Sequence, residues 1–254
     1  MQRRDFLKTV SLGTGLIVGS QMELLAYNPK EFQKDLFISK DELQMFLALQ
    51  NRLSAILKYV GFGNFNIISF DEALYIARNV ATIGAFSKEE KEYMEAIFYT
   101  NPVKFGFYGS KTCEKITDTI SKKDIYKVPH SGHYVFKGKP LELYNKIIED
   151  IGDTIILTSG VRSVVKQFSL YLNKILSVDY NISLASKSIA PPAYSYHSIS
   201  DFDVGKKGFG AKNFSNEFSK TQEFQLMIEL GYIELRYKVG NEDGVIYEPW
   251  HIKV

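Results

Sequence analysis

Three tetrads, Ser39-x-x-Glu42, Ser69-x-x-Glu72 and Ser87-x-x-Glu90, each stand before a run of apolar residues at helical spacing. In such a box the serine oxygen accepts from the backbone N–H three residues on, and the glutamate reaches back to the serine's own N–H. Two of the donors that a helix start leaves open are thereby satisfied locally. The first run carries Leu43, Phe46, Leu47, Leu53, Ile56, Leu57 and Val60, and Gly61 can end it. The second is "ALYIARNVATIG" and the third "KEYMEAIFY". Three capped helices in succession predict a helical N-terminal region over 37–102, closed by Asn101-Pro102. The Met and aromatic stripes along it read as core.

From residue 103 the pattern changes to more glycine, more turns and short β-branched runs. "DTIILTSG" predicts a buried strand from Thr154 to Thr158, a turn at Gly160, then a helix with Val164, Phe168, Leu172 and Ile175 on its apolar face. Asp201 to Val204 suits a short strand, and "KKGFGAKNF" a mobile loop after it. "TQEFQLMIELG" repeats the amphipathic pattern at Phe224, Met227 and Ile228, and "GVIYE" and "HIKV" close the chain as strand-like pieces. Helices bracketing short strands, without βαβ alternation, predict an α+β fold: a small antiparallel sheet with flanking helices over 103–254, preceded by the helical region.

With 45% hydrophobic and 24% charged residues, the 254-residue chain can bury a sizeable core. A net charge of +2 offers no electrostatic grip on nucleic acid. Cys113 is the only cysteine, which excludes an internal disulfide and a thiolate metal cluster. Any metal must be held by His, Asp or Glu. The opening "MQRRDFLKTVSLGTGLIVGS" has paired arginines, then Phe6, Leu7 and Lys8, then an apolar stretch too short to span a bilayer. It resembles a twin-arginine signal over residues 1–26. Export to the periplasm, with no stable membrane span after signal removal, is the expectation.

All four histidines lie in the second half: His130 and His133 in "HSGH", His197 in "YSYHSISDFDVG", and His251 in "YEPWHIKV", beside the only tryptophan. A catalytic zinc takes three protein ligands and leaves a fourth position open. If the strand after His197 runs beside the one carrying His251, two imidazoles and the Asp203 carboxylate can converge. Glu248, three residues before His251, can then take a proton. "HSGH" is a rival metal pair, but it lacks a carboxylate of its own, and Pro129 and Gly132 make it a loop better suited to lining a cleft. "GKKGFG" lacks the spacing of a phosphate loop.

Ser195-x-His197, an Asp a few residues on, and Glu248-Pro249-Trp250-His251 together resemble the zinc D-alanyl-D-alanine carboxypeptidases and dipeptidases of the VanY-like kind. That group is related to lysostaphin-type peptidases and the hedgehog signalling domain. The likeness covers roughly Pro129 to Val254. It implies zinc held by His197, Asp203 and His251, with Glu248 as general base. "SGVRS" matches a further family element, which implies that Arg162 binds the substrate carboxylate and stabilises charge at the scissile carbonyl. Gln167 and Ser195 are further substrate-binding candidates. The chain departs from the family in one place. Five residues separate His197 from Asp203 where the family has six, and Ser200 stands in place of a glycine, so Asp201 competes for the ligand role. Asp203 is favoured because it directly precedes Val204-Gly205. The resemblance implies trimming of the terminal D-alanine from peptidoglycan stem peptides. The alternatives are an L,D- or D,D-endopeptidase, a dipeptidase, or a zinc-containing module that only binds peptidoglycan.

Overall fold

The computed structural model describes residues 34–254. The twin-arginine stretch lies outside the described residues. Helix α1 (Leu43–Val60) follows a turn in which Ser39 and Glu42 bond each other's backbone N–H, and Gly61 ends it at φ +80°. A short α2 (Phe62–Phe65) leads to α3 (Phe70–Asn79) and α4 (Lys88–Tyr99). The last two begin with complete capping boxes at Ser69/Glu72 and Ser87/Glu90. Glu90 is also buried against Arg52 at 3.0 Å, which ties α4 to α1.

A two-stranded antiparallel hairpin follows, β1 (Ile125–Lys127) with β2 (Tyr134–Phe136), and the "HSGH" loop forms its tip. Next come α5 (Lys139–Ile151), β3 (Ile155–Ser159), α6 (Val164–Ser177), α7 (Ile182–Ser186) and β4 (Phe202–Lys206). The chain closes with α8 (Gln222–Glu229) and β5 (His251–Ile252). β3, β4 and β5 form an antiparallel sheet in that order. The fold is α+β, as the sequence predicts, and among the described residues no helix is long and apolar enough to cross a membrane.

Two predicted details differ. "GVIYE" forms no strand: Ile246 N–H bonds to Lys187 O and Glu248 N–H to Tyr237 O, so the segment is held by scattered contacts, not by a ladder. The "KKGFGAKNF" loop is held rather than loose, since Asn213 bonds both the N–H and the carbonyl of Lys206.

The apolar side chains pack into two main cores. Phe46, Leu49, Leu53 and Ile56 of α1 pack with Val165, Phe168, Leu172 and Ile175 of α6 in one core. Burial of each such side chain contributes about 1.5–3 kcal/mol. Phe202 and Val204 of β4 join Ile155, Leu157, Ile147, Phe224 and Trp250 in the other. Because side chains alternate across a strand, Phe202 and Val204 turn into that core while Asp203 faces the opposite side.

Candidate metal centre and substrate cleft

Sheet register sets one row of polar groups side by side. Ser159 of β3 pairs with Asp203 of β4, and Asp203 pairs with His251 of β5. Paired residues share a face, so three functional side chains meet on the side away from the core. A register irregularity between Leu157 and Ser159 re-aims the end of β3 into the Ser159-Gly160-Val161-Arg162 turn. Gly160 has to be glycine, because the Tyr134 carbonyl stands where a Cβ would go. That same carbonyl accepts from Val161 N–H at 2.7 Å, which locks the turn to the hairpin.

His197 sits on a 3-10 turn (Tyr196–Ser198) held by Ser198 Oγ, which donates to Ser195 O and to Thr112 Oγ1. Its Nδ1 lies 2.9 Å from Gly160 O. A carbonyl can only accept, so Nδ1 carries the proton and Nε2 keeps its lone pair. Burial and the Arg162 charge push the His197 pKa down to about 4, against the pull of Asp203, so the ring is neutral at pH 7.

His251 is fixed from the other side. Its Nε2 lies 3.2 Å from Asp201 Oδ2, and its Nδ1 lies 3.4 Å from Asp203 Oδ1 and 3.3 Å from Glu248 Oε2. Burial works against a charge on this ring, but its bonds to Asp201 and Glu248 and the Asp203 charge outweigh it and push the pKa up to about 9. A metal at Nδ1 would have to displace that proton.

His197, Asp203 and His251 are the only group of metal-binding side chains that converges among the described residues, with one ligand atom from each within 4.8 Å of the others. His197 Nε2 and Asp203 Oδ1 are buried with no hydrogen-bond partner, although they lie 3.3 Å apart. Orphaned buried polar atoms of this kind are costly, and a cation between them would satisfy both. Two imidazoles and one carboxylate also suit a catalytic zinc. The residues therefore fit the metal that the sequence resemblance implies.

The competition between Asp201 and Asp203 resolves by partner. Asp201 takes two bonds from Arg236, at 2.7 and 3.1 Å, and one from Val254 N–H at 3.2 Å, besides facing His251. It orients an imidazole and has no lone pair left to aim at the centre. Asp203 is fully buried. Burial opposes its charge, but His197 and Arg162 hold its pKa well below the usual carboxylate range. Glu248 is 5% exposed, and burial raises its pKa, with the bond to His251 opposing.

The remaining predicted site residues are placed less uniformly. Arg162 gives Nε to Ser159 Oγ at 2.9 Å and Nη2 to Asp203 Oδ2 at 2.7 Å, which commits two of its five N–H donors within the protein. Gln167 is buried, with Nε2 on Ala190 O at 2.7 Å, and its Oε1 has no partner. The Ser195 hydroxyl bonds to no other described residue. His130 is exposed at the tip of the hairpin. His133 is 8% exposed and packs edge-on against Phe62, with ring centroids 5.0 Å apart. Sequence reasoning missed Ser159, Arg236, Lys166 and Phe62. None of the four had a local signal: at 100° per residue Lys166 falls on the side of α6 opposite Val164, Phe168, Leu172 and Ile175, so its burial could not be read from the spacing.

Residues 139–254 match the VanY family, described as D-alanyl-D-alanine carboxypeptidase. No curated protein matches the chain. Similar solved structures include a mutant of the vancomycin-resistance D,D-pentapeptidase VanY from a VanB-type cassette, in complex with Zn(II). It is 18% identical over 51% of this chain and 76% of its own, with a TM-score of 0.38. The D,D-dipeptidase VanXYg, in complex with a D-Ala-D-Ala phosphinate analogue, is 22% identical over 47% of this chain and 50% of its own, with a TM-score of 0.40. The LD-carboxypeptidase LdcB is 21% identical over 54% of this chain and 83% of its own, with a TM-score of 0.34. Over residues 139–254 the chain is thus similar to the VanY family.

Proposed function

We propose that this chain is an exported zinc peptidase that hydrolyses the terminal D-alanyl-D-alanine bond of peptidoglycan stem peptides. The observation that carries the reading is the pair of buried, partnerless atoms, His197 Nε2 and Asp203 Oδ1, converging with His251 beside Glu248. The family matched over 139–254 supplies the substrate class. Export rests on the resemblance of residues 1–26 to a twin-arginine signal.

His197 Nε2, Asp203 and His251 Nδ1 would hold the metal, with Gly160 O and Asp201 fixing the tautomers of the two imidazoles. When bound, zinc acidifies water and polarises a peptide carbonyl at neutral pH. Glu248 has the position and the raised pKa to accept a proton from the attacking water and pass it to the leaving amine as the C–N bond breaks. Arg162 holds Asp203 in place and has Nη1 left for the substrate. Trp250 packs in the core behind β5 and needs no chemical role.

The test is mass spectrometry of muropeptides incubated with the zinc-loaded chain and with Glu248→Gln. The expected result is loss of one terminal alanine with the wild type, slowed by roughly 10²–10⁴-fold in the variant. Equal turnover by both would remove Glu248 from the mechanism. Cleavage at an internal bond would move the assignment to an endopeptidase.

A further inference from the structure

Lys166 lies on the first turn of α6, four residues after Arg162, and only 8% of it is exposed. A cation so buried is nearly always paired. Yet among the described residues its ammonium makes no hydrogen bond and no ion pair. It rests over two rings of α2 instead, 4.8 Å from the centroid of Phe62 and 5.8 Å from that of Phe65. The carboxylates of the site are all engaged elsewhere: Asp203 by Arg162, Asp201 by Arg236, and Glu248 by His251.

This cation follows Arg162, whose Nη2 holds Asp203 of the metal centre, by four residues. Phe62 stacks edge-on with His133, and the ring nitrogens of His133 bond to no described residue. Burial, then the charges of Arg162 and Lys166, push the His133 pKa down to about 4. Burial and the Arg162 charge bring the Lys166 pKa down to about 8, so most molecules keep the ammonium charged at neutral pH. Arg162, by contrast, is largely neutralised by Asp203.

We propose that Lys166, walled by Phe62 and His133, is an anion subsite that binds a carboxylate of the substrate. This rests on the peptidase reading above and adds to it the group that carries the uncompensated positive charge. It also gives the helical N-terminal region a part in recognition, because Phe62 and Phe65 come from that region. The carboxylate has two possible sources: the C-terminus of the peptide, or a side-chain carboxylate on the diamino acid of the stem.

The test is equilibrium binding by calorimetry to the full zinc-loaded chain carrying Glu248→Gln, which slows turnover of the peptide, with Lys166→Met and Lys166→Arg in that background beside the chain that is wild type at position 166. The peptides are a stem pentapeptide whose diamino acid bears a side-chain carboxylate, its C-terminal amide, and its side-chain amide. The expected result is about 10- to 100-fold weaker binding of the unmodified peptide by Lys166→Met, as for loss of a charged hydrogen bond, with Lys166→Arg within a few-fold of wild type. The modified peptide on which Lys166→Met has no further effect identifies the carboxylate that Lys166 holds. Lys166→Met should melt no lower than wild type, since it replaces a buried unpaired charge with an apolar chain of similar length, and this separates lost recognition from lost folding. If Lys166→Met binds every peptide as tightly as wild type, the subsite is overturned and the peptidase reading stands. If the wild type binds none of them, both fall together.

Discussion

Asp201 and Asp203 stand two residues apart and reach opposite nitrogens of one imidazole, and this division of labour is the sharpest statement at the scale of single residues. Their alternation along a strand was readable in the sequence, as was the triad with Glu248. Their different roles were not, because the role of Asp201 is set by Arg236, a residue that local spacing does not connect to it. Asp201→Asn should keep the metal site but weaken zinc binding about 10- to 100-fold, measured by competition with a chelator. An unchanged affinity would remove Asp201 from its orienting role. His133 makes a second prediction. Its folded pKa of about 4 lies below the ordinary 6.5, so burial of the neutral ring favours folding above pH 6.5, and that contribution is lost as pH falls towards 4. His133→Phe keeps the contact with Phe62 and removes the titration. Its melting temperature should fall less than that of wild type between pH 7 and pH 4, and parallel curves would contradict the account.

At the scale of elements, the capping boxes made the N-terminal helices legible, and the reciprocal bonds of all three form in the structure, the first in the turn just before α1. β3, α6 and α8 were equally plain, because each has an apolar face of the right period. The β1–β2 hairpin was not, since its strands are three residues long and only one side is buried, too short for any periodicity to register. The failure at "GVIYE" has a related cause. Its alternation looks strand-like, but no neighbouring strand edge is available to pair with it. The hairpin matters because the Tyr134 carbonyl packs directly on Gly160. Gly160→Ala would drive a Cβ into that carbonyl and should cost about 1–3 kcal/mol in denaturant unfolding, with loss of turnover beyond the loss of folded protein. Wild-type stability in this variant would show that the turn has room to move.

For the whole molecule, α6 belongs to two structures at once. Arg162, which bonds Asp203, comes just before its N-cap Ser163, while Val165, Phe168, Leu172 and Ile175 are buried against the helical region. Asn66 adds two backbone ties, accepting from Ser163 N–H at 2.8 Å and donating from Nδ2 to Gly132 O at 3.0 Å. The sequence resemblance begins only near Pro129, so the dependence of the site on residues before it was not legible. Removing residues 1–102 should expose the apolar face of α6. The truncated chain is expected to lose near-ultraviolet circular dichroism and zinc binding together. A truncated chain that keeps both would show that residues 103–254 fold alone. The measurement that tests the central claim most directly is the zinc content of the purified full chain, determined by elemental analysis beside Asp203→Asn. The account predicts about one zinc per wild-type chain, as a single three-ligand site requires, and almost none in the variant. No zinc in the wild type, or equal zinc in both, would contradict it.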